Sequence, residues 1–490
     1  MLNNFKIHFK SNTKIKNIDQ IAEELTKIVG SDRISTDMVD KLAYGKDYWL
    51  ISNLMTLKGI QPSLPEIILW PQTTAEVSEI IKLANKYKIP IIPYGEGSGV
   101  VGSALAINGG IILDMKYFDS IEINSTNMTV TVGTGLNGAV LERYLNEHGF
   151  RMGHIPQSIR TSTIGGYIAN RAAGQFSGIY GKMEDIVLSM EIVLPTGEII
   201  RSKTYPRASV GPMVDRLFLG SEGTLGVVTE AICKIWPMPE KQGKLSYLFT
   251  DLQNCLDAIR ETLQARINPG VIRIYDKKET ERHFGEIIKN SKGKIMLIFV
   301  FEGIERLVDL EMQITSENCE KNNGIATGEK PVDHWFETRF KVSEASEFGP
   351  YDQVMDTIEV SCMWDKSKEL YDEIINSILS VPGVFLASGH ASHFYTTGVC
   401  WYFTFSGIPK EGKDYITFYN AVWDATIKTS LKLGGTASHH HGIGVNRSRW
   451  MRLEHGEEFN LMQTIKKMLD PNNIMNPGKL YSEEIQEKNL

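Results

Sequence analysis

The sequence predicts an α+β fold with two main domains. Its 490 residues, 42% of them apolar, are enough to bury two or three separate cores. Short runs of β-branched residues, bounded by glycine, aspartate and asparagine, alternate with amphipathic stretches, which is typical of mixed strands and helices. Near residue 240 the short elements give way to longer helices and strands. We therefore expect one domain on each side of that point.

The first part of the chain predicts a helical lead-in followed by a domain of short strands. Residues 1–62 form the lead-in, and Pro62 and Pro65 separate it from the strand PEIILWP. The sequence TTAE at 73–76 has the pattern of a capping box and opens a helix. The remaining predictions are helices over 18–31, 36–45 and 139–150, and strands over IPIIPYG, 111–115, 120–124, 129–135, 187–201 and 225–236.

The second part of the chain predicts an antiparallel sheet with helices. Amphipathic helices such as 251–266 alternate there with strands such as VIRIYD and KIMLIFVF. The predicted boundaries are 63–240 for the first domain, 241–425 for the second and 426–490 for a C-terminal segment.

Charge and cysteine content exclude several classes of function. Lys plus Arg total 52 against 59 for Asp plus Glu, so the net charge of -7 offers no basic excess for nucleic acid. The five cysteines lie far apart without a CxxC pair, which favours reduced thiols over a disulfide framework or a zinc ribbon. No apolar run approaches the roughly 18 residues of a membrane span, and the N-terminus lacks a signal-peptide core. We expect a cytoplasmic protein, with contact to a membrane surface left open.

The segment PYGEGSGVVG (93–102) contains a literal GxGxxG motif. A Rossmann dinucleotide site needs a helix beginning at the third glycine and an acidic residue about 20 positions further on. Only SALAIN separates this motif from Gly109, Gly110 and the next strand, so the context disfavours that interpretation. The same glycines suit a loop whose backbone N–H groups approach a pyrophosphate without a helix. An ordinary glycine-rich turn is the alternative if the segment is taken alone.

Three further segments accompany this loop. They are SIRTSTIGGYIANRAAG (158–174), YGKMEDIVLSMEIVLPTGEII (180–200) and LFLGSEGTLGVVTEA (217–231). The order, spacing and amino-acid sequences of the four segments resemble those of the FAD-binding domain of the vanillyl-alcohol-oxidase, or p-cresol methylhydroxylase (PCMH), superfamily. The resemblance covers about residues 63–240. The resemblance implies a PCMH-type fold for this domain, a flavoenzyme, and a substrate or cap domain over 241–425.

The resemblance also implies which residues hold FAD. The pyrophosphate would lie against Gly95, Gly97, Ser98 and Gly99. The rest of the cofactor would be lined by a wider set, comprising Pro93, Glu96, Gln157, Ser158, Ser162, Thr163, Gly165, Gly166, Asn170, Arg171, Ala172, Glu222, Gly223, Thr224, Gly226, Val227 and Val228.

The first glycine loop also bears on how the flavin is attached. Some members of the superfamily bind it covalently through a histidine in this loop. Here Ser98 and Gly99 occupy that neighbourhood, and no histidine lies between His8 and His148. We therefore expect non-covalent FAD.

The second group of polar residues is GTASHHHGIG (435–444), with three adjacent histidines. In an extended segment His439 and His441 would point one way and His440 the other, so the three rings would not readily bind one ion. Surface or structural histidines are the ordinary interpretation. Polar rings beside three glycines in a flavoprotein indicate instead the wall of an active site.

These histidines and Tyr402, thirty-seven positions upstream, resemble the alkylglycerone-phosphate synthase family. Its members are flavoenzymes that exchange the acyl chain of acyl-dihydroxyacetone phosphate for a fatty alcohol. The resemblance implies that Tyr402 accepts and donates a proton, that the histidines complete the site and that Arg273 is needed for activity. In VIRIYD, alternation puts Arg273 on one face with Val271 and Tyr275, where it can bind a phosphate or carboxylate. A solvent-facing salt bridge is the alternative.

One residue departs from the synthase pattern, because His390 in SGHASHFYTTG (388–398) stands where that family has its second anion-binding arginine. This element and SHHHGIG also resemble FAD-linked dehydrogenases of D-lactate, glycolate and 2-hydroxyglutarate, in which a divalent metal lies near the substrate. The glutamate of that metal site is absent, since His440 occupies its position. We expect no metal, and a site of His390, His393 and His440 is the alternative.

Two enzymatic interpretations and one non-enzymatic interpretation follow. Tyr402 and the triple histidine favour synthase chemistry, which we rank first, whereas His390 favours a dehydrogenase that moves hydride from a hydroxylated carbon to the flavin. In both, Tyr402 is the candidate base, with its pKa tuned by neighbouring histidines. A flavin-binding scaffold without catalysis is the third interpretation. We expect a small anionic substrate, lipid-like for a synthase, together with a homodimer, an external electron acceptor and a C-terminal segment that completes the active site.

Overall fold

The computed structural model describes residues 15–57, 59–341, 353–410 and 414–481. The chain divides into two compact units. The glycine-loop unit contains the described residues up to Ala173, Lys182–Trp236 and those from His440 onward, and the seven-strand unit contains Gly174–Gly181 and Pro237–His439. The prediction that the N-terminus lacks a signal-peptide core concerns residues 1–14 in part, and these lie outside the described residues.

Two larger sheets form the glycine-loop unit. Its strands are β1 Ile34–Ser35, β2 Ile67–Leu69, β3 Ile91–Tyr94, β4 Ile111–Asp114, β5 Ile121–Asn124, β6 Thr129–Gly133, β7 Phe150–Arg151, β8 Val187–Val193, β9 Ile199–Arg201 and β10 Val227–Lys234. The first sheet has the order β1-β2-β4-β3, and β2, β4 and β3 run parallel. The second sheet, β5-β6-β10-β8-β9, is antiparallel throughout.

Helices cover the parallel strands of this unit, as their apolar sequences require. The helices are Ile18–Val29, Met38–Ala43, Leu50–Leu57, Thr74–Tyr87, Gly138–Glu147, Ile164–Asn170, Met183–Ile186, Met451–His455 and Glu458–Leu469, with 3-10 turns at Ile159–Thr161, Val214–Phe218 and Ser448–Trp450. At the start of Thr74–Tyr87, the Thr73 hydroxyl accepts from the Glu76 N–H while the Glu76 carboxylate accepts from the Thr73 N–H. This confirms the predicted capping box.

One antiparallel sheet of seven strands organises the other unit. After β11 Trp236–Pro237, its strands are β12 Lys241–Phe249, β13 Val271–Tyr275, β14 Ile295–Gly303, β15 Ile325–Ala326, β16 Val354–Met363, β17 Val384–Phe394 and β18 Gly398–Gly407. The strand order is β15-β12-β14-β13-β17-β18-β16. Its helices are Ser177–Tyr180, Leu252–Gln264, Lys277–Phe284, Glu305–Lys321, Lys330–Thr338, Trp364–Leu379 and Tyr415–Lys432. The expected α+β class, with antiparallel sheets and helices, is confirmed.

The strand β18 is buried at every residue. This explains its nearly continuous apolar sequence, and it makes the hydroxyl of Tyr402 in its middle a polar group that needs partners. All five cysteines are buried and form no disulfide. Within the described ranges, no helix has both the length and the apolar character that crossing a bilayer requires.

Candidate active site

The first glycine loop, residues 95–102, follows β3 in the glycine-loop unit. Gly97 has a φ of 66°, and a Cβ there would lie 2.1 Å from the Tyr94 hydroxyl oxygen. A Cβ at Gly95 would lie 2.3 Å from Oγ1 of Thr163. A side chain added at either position would collide with these hydroxyl groups, so the two glycines leave the loop backbone accessible there, as a pyrophosphate cradle requires.

Hydroxyl groups join this loop to the next predicted cofactor segment. Oγ of Ser98 lies 2.8 Å from Oγ of Ser162, which donates to Oγ of Ser158 at 2.7 Å. Oγ1 of Thr163 accepts from the N–H of Gly166 at 3.3 Å. Ser98 is thus brought next to residues 158–166, and these five residues offer hydroxyl and backbone groups of the kind that the phosphates and ring edges of FAD need.

Several predicted cofactor residues have their side chains engaged elsewhere in the same unit. The Glu96 carboxylate accepts from Nδ2 of Asn137 at 2.9 and 3.1 Å. The exposed Arg171 donates to Glu184 at 3.1 Å, and Val227 belongs to a buried apolar core. The side chains of these three residues therefore have contacts of their own within this unit.

Glu222 holds the chain that follows the three histidines. Its buried carboxylate accepts from the N–H groups of Ile443 at 2.5 Å and Gly444 at 2.8 Å and from Oγ of Ser103 at 3.0 Å. Burial raises the pKa of Glu222, and these hydrogen bonds oppose that shift. A Cβ at Gly442 would lie 2.8 Å from the Glu222 carboxylate and 3.2 Å from the Asn170 amide oxygen. Glu222 therefore acts here as an anchor for residues 442–444.

The C-terminal NPGK sequence supports the same region. Nδ2 of Asn476 donates to the carbonyl oxygens of Glu222 at 2.7 Å and Ser103 at 3.0 Å. The buried Lys479 donates to the carbonyl of Leu105 at 2.8 Å and to Oδ1 of Asn476 at 3.0 Å. Asn476 and Lys479 are thus part of the scaffold of the glycine-loop unit.

In the seven-strand unit, four polar residues form a row across adjacent strands, here called the polar row. The directly opposite pairs are Glu359 with Tyr402, Tyr402 with His390, and His390 with Tyr275. Directly opposite residues of antiparallel strands project on the same face of a sheet. The rings of Tyr402 and His390 stack at 4.7 Å with an interplanar angle of 11°, and those of His390 and Tyr275 lie 6.1 Å apart.

A β-bulge in β17 adds His393 to this face. Regular alternation would place His390 and His393 on opposite faces because they are three residues apart. The register shifts between Ala391 and His393, so that His393 pairs with Cys400, which shares the face of Tyr402. Nδ1 of His393 lies 2.9 Å from Oγ of Ser177.

The histidine segment, residues 436–444, is not extended at the three histidines. Residues 439–441 are a series of bends, so the alternation of rings that an extended segment would give does not apply. The physical reason lies partly in Glu359, whose carboxylate accepts from Oγ of Ser438 at 2.9 Å and from the N–H of His439 at 3.2 Å. The His439 ring stacks at 5.2 Å on His393, and its Nε2 lies 2.7 Å from the Tyr395 hydroxyl. The rings of His440 and His441 lie 4.4 Å apart.

Arg273 lies on β13, on the face that alternation predicts. Its Nε donates to the Tyr275 hydroxyl at 2.9 Å, which confirms that these two side chains share a face. The guanidinium also lies 5.3 Å from the centre of the Tyr275 ring and 5.9 Å from that of Trp335. The half-buried cation therefore shares the face of the polar row.

Glu279 was not found from the sequence, although it contacts His390. It belongs to the helix Lys277–Phe284, is 1% exposed, and lies with Oε2 3.0 Å from Nδ1 of His390, at an angle poor for a hydrogen bond. Oγ of Ser388 donates to its other oxygen at 3.1 Å. Burial alone would raise the pKa of Glu279, but His390, Arg282 and their neighbours lower it to about 2, so the carboxylate is charged. A metal site of His390, His393 and His440 stays the alternative to the expectation of no metal.

The pKa of Tyr402 is shifted in the direction opposite to the one that a phenol acting as a base near neutral pH requires. Burial raises its pKa well above the ordinary value of 10.0, and Ser392 and Arg273 offset only part of that shift. Glu359, also missed from the sequence, raises it further. The pKa of Tyr402 therefore lies above its ordinary value, and the buried phenol keeps its proton at neutral pH.

Comparison with known families and proteins agrees with this arrangement. Residues 65–203 match the model of an FAD binding domain, and residues 238–480 match that of the FAD linked oxidases, C-terminal domain. An uncharacterized FAD-linked oxidoreductase of Escherichia coli (strain K12), YgcU, is 30% identical over 94% of this chain and 98% of its own. The alkyldihydroxyacetonephosphate synthase of Dictyostelium discoideum is 28% identical over 97% and 82%, and a mitochondrial D-lactate dehydrogenase of Arabidopsis thaliana 28% identical over 94% and 80%.

Solved structures give the same result for the fold. An alkyldihydroxyacetonephosphate synthase has a TM-score of 0.79 at 25% identity over 96% of this chain and 88% of that chain. A p-cresol methylhydroxylase has a TM-score of 0.76 at 16% identity over 96% and 98%, a likeness of fold alone. The predicted PCMH-type fold and the FAD cofactor are confirmed. The chain therefore belongs to the FAD-linked oxidoreductases and is an FAD-dependent enzyme.

Proposed function

We propose that this enzyme oxidises the hydroxyl-bearing carbon of a small organic anion, such as a D-2-hydroxy acid. The observation that carries the proposal is that Nδ1 of His390, a residue of the polar row, lies 3.0 Å from the buried carboxylate of Glu279. An arginine at this position would be a permanent cation that takes up no proton. A neutral imidazole can accept a proton from a substrate, so we rank oxidation above the synthase chemistry favoured by the sequence alone.

Arg273 binds the anionic group of the substrate in this proposal. Its guanidinium is steadied by the Tyr275 hydroxyl and the Trp335 ring. A planar guanidinium can hold a carboxylate through two parallel hydrogen bonds, which fixes the orientation of the carbon next to it.

His390 accepts the hydroxyl proton of the substrate at Nε2, because its Nδ1 faces Glu279. The negative charge of Glu279 stabilises the imidazolium that results. Tyr402, held protonated by burial, donates a hydrogen bond to the substrate oxygen as negative charge develops there. Bound FAD supplies the acceptor for the hydrogen and the two electrons of the C–H bond. The product is the corresponding oxo acid.

The assignment of 63–240 to the cofactor and of 241–425 to the substrate belongs to the same proposal, as does the set of FAD-contacting residues inferred from the sequence. The match of 65–203 to an FAD binding domain supports it. The hydrogen bonds among Ser98, Ser158 and Ser162 support the inclusion of those three residues.

The second candidate is the synthase reaction, in which an acyl chain is exchanged for a fatty alcohol without net oxidation. The similarity to alkyldihydroxyacetonephosphate synthases over 97% of this chain favours it. In this candidate Tyr402, whose pKa is raised by burial, is the proton donor.

Product analysis separates the two candidates. Holoenzyme is incubated with an artificial electron acceptor and D-lactate, glycolate or D-2-hydroxyglutarate, and in parallel with acyl-dihydroxyacetone phosphate plus a fatty alcohol. We expect an oxo acid from at least one hydroxy acid and no ether product. Formation of the ether product, with every hydroxy acid unchanged, would establish the second candidate instead.

A further inference from the structure

Glu359 is a buried carboxylate in an edge strand of the seven-strand sheet. It lies in β16 directly opposite Tyr402, and its exposed fraction is 0%. A buried carboxylate is costly unless hydrogen bonds compensate for the lost water. Two of its donors are Oγ of Ser438 and the N–H of His439, both in the histidine segment.

The same strand holds the histidine segment at a second point. The N–H of Thr436 donates to the Ser361 carbonyl at 2.9 Å, and the N–H of Ser361 donates to Oγ1 of Thr436 at 3.0 Å. Because β16 ends the sheet, its outer backbone groups are available for these bonds. The bonds at Ser361 would keep Thr436 in place if the Glu359 carboxylate were removed.

The position of the His439 backbone decides where its ring lies. The ring stacks on His393 at 5.2 Å, and His393 in turn lies 6.3 Å from the Tyr402 ring. Glu359 therefore lies directly opposite Tyr402 in the sheet, and it also accepts a hydrogen bond from the backbone of His439. The ring of His439 is the one that stacks on His393.

We propose that Glu359 is a positioning residue, which fixes the backbone at Ser438 and His439 and thereby the His439 ring beside His393 and Tyr402. It acts through hydrogen bonds to the histidine segment rather than by contact with the substrate. Its effect on turnover rests on the proposed function, whereas its effect on the segment does not.

Hydrogen exchange tests the positioning without any substrate. Amide exchange is followed by mass spectrometry in peptides spanning 436–442 of the holoenzyme. In Glu359→Ala we expect exchange about tenfold faster in these peptides, since a hydrogen bond to a charged acceptor is lost. Glu359→Gln keeps an acceptor oxygen and should restore most of the protection. Thr357→Val, on the same strand and face but bonded to Thr404, is the matched control and should leave these peptides unchanged.

Kinetics form the second arm, with whichever hydroxy acid the enzyme oxidises. Glu359→Ala should lower kcat at least about tenfold with KM within about threefold, and Glu359→Gln should recover most of kcat. Unchanged exchange in Glu359→Ala would overturn the proposal, and so would loss of protection with full kcat. If the wild type oxidises no hydroxy acid, the proposed function fails, and the exchange result still decides whether Glu359 positions the segment.

Discussion

The two units place their functional groups in different ways. In the glycine-loop unit, the candidate cofactor residues lie in short stretches such as 93–99 and 222–228, and glycine backbone forms the loop. In the seven-strand unit, Tyr275, Glu359, His390 and Tyr402 come from four separate strands and meet only through strand register. Local sequence motifs therefore predict the proposed cofactor site, whereas the proposed substrate site depends on long-range strand pairing. We therefore expect the proposed cofactor site to lose FAD when a side chain is added to its glycine loop. We expect the proposed substrate site to lose activity when a charge or a hydrogen bond is removed.

The largest effect is expected from Gly97→Ala. The new Cβ would lie 2.1 Å from the Tyr94 hydroxyl, and the φ of 66° adds backbone strain, so the loop must move. We expect protein purified without FAD and therefore inactive. FAD is measured in the supernatant after acid precipitation, which should release all the flavin of the wild type because we expect no covalent link.

Gly149→Ala is the matched control, since Gly149 has a φ of 81° with open space around a Cβ. Gly149→Ala introduces backbone strain of about 1 kcal/mol but no steric collision, so this variant should keep its flavin. Full FAD content in Gly97→Ala would show that the loop is not a close-fitting cradle. A yellow pellet from the wild type would contradict non-covalent binding.

The next largest effect is expected from His390→Asn. Removing the proposed base should lower kcat by about 10²- to 10⁴-fold, with flavin content unchanged. Tyr402→Phe should cost less, about 10- to 10³-fold, because it removes one hydrogen-bond donor to the developing charge. Both are measured as single-turnover flavin reduction at saturating hydroxy acid.

His283→Asn serves as the control for this pair of variants. Burial, together with Arg282, lowers the pKa of His283 to about 4, so this ring is neutral near pH 7 and is no candidate base. It should retain nearly full activity. If Tyr402→Phe lowered the rate of flavin reduction more than His390→Asn did, the base would be Tyr402, as the sequence suggested.

The smallest effect is a pH dependence of stability in the glycine-loop unit. Burial lowers the pKa of His154 from 6.5 to about 3, with the charge of Lys182 acting in the same direction. The unfolded chain therefore binds a proton below pH 6.5 that the folded chain does not. The contribution of the neutral His154 ring to the free energy of unfolding is complete above pH 6.5 and is lost as the pH falls towards 3. Between pH 8 and pH 5 the wild type should lose about 2 kcal/mol of unfolding free energy through this group.

His154→Phe should remove that part of the pH dependence. Phenylalanine keeps an aromatic ring near Tyr167, whose ring centre lies 4.5 Å from that of His154. Urea unfolding at pH 8 and pH 5 measures the difference between the two proteins. An equal loss of free energy in both would mean that His154 is already protonated in the folded protein or never buried.

The sequence predicted features that depend on neighbours along the chain. The capping box at Thr73 and the strand β13 with Arg273 and Tyr275 on one face follow from local spacing. The FAD-binding domain was predicted from the resemblance of four segments to a known superfamily, and the match of residues 65–203 confirms it. Glu279 and Glu359 could not be found in this way, because a single acid in a helix or a strand carries no signal of the histidine it will contact. The place of His393 depends on a one-residue bulge, which reverses the face that alternation assigns.

Anaerobic reduction of the bound flavin by a hydroxy acid tests the central claim most directly. Holoenzyme is mixed without oxygen with D-lactate, glycolate or D-2-hydroxyglutarate, and the flavin absorbance near ~450 nm is followed. We predict rapid bleaching by at least one of them, slowed when deuterium replaces the hydrogen on the hydroxyl-bearing carbon and nearly abolished in His390→Asn. Flavin that stays oxidised with all three, while acyl-dihydroxyacetone phosphate and a fatty alcohol are converted to an ether lipid, would contradict the proposed oxidation.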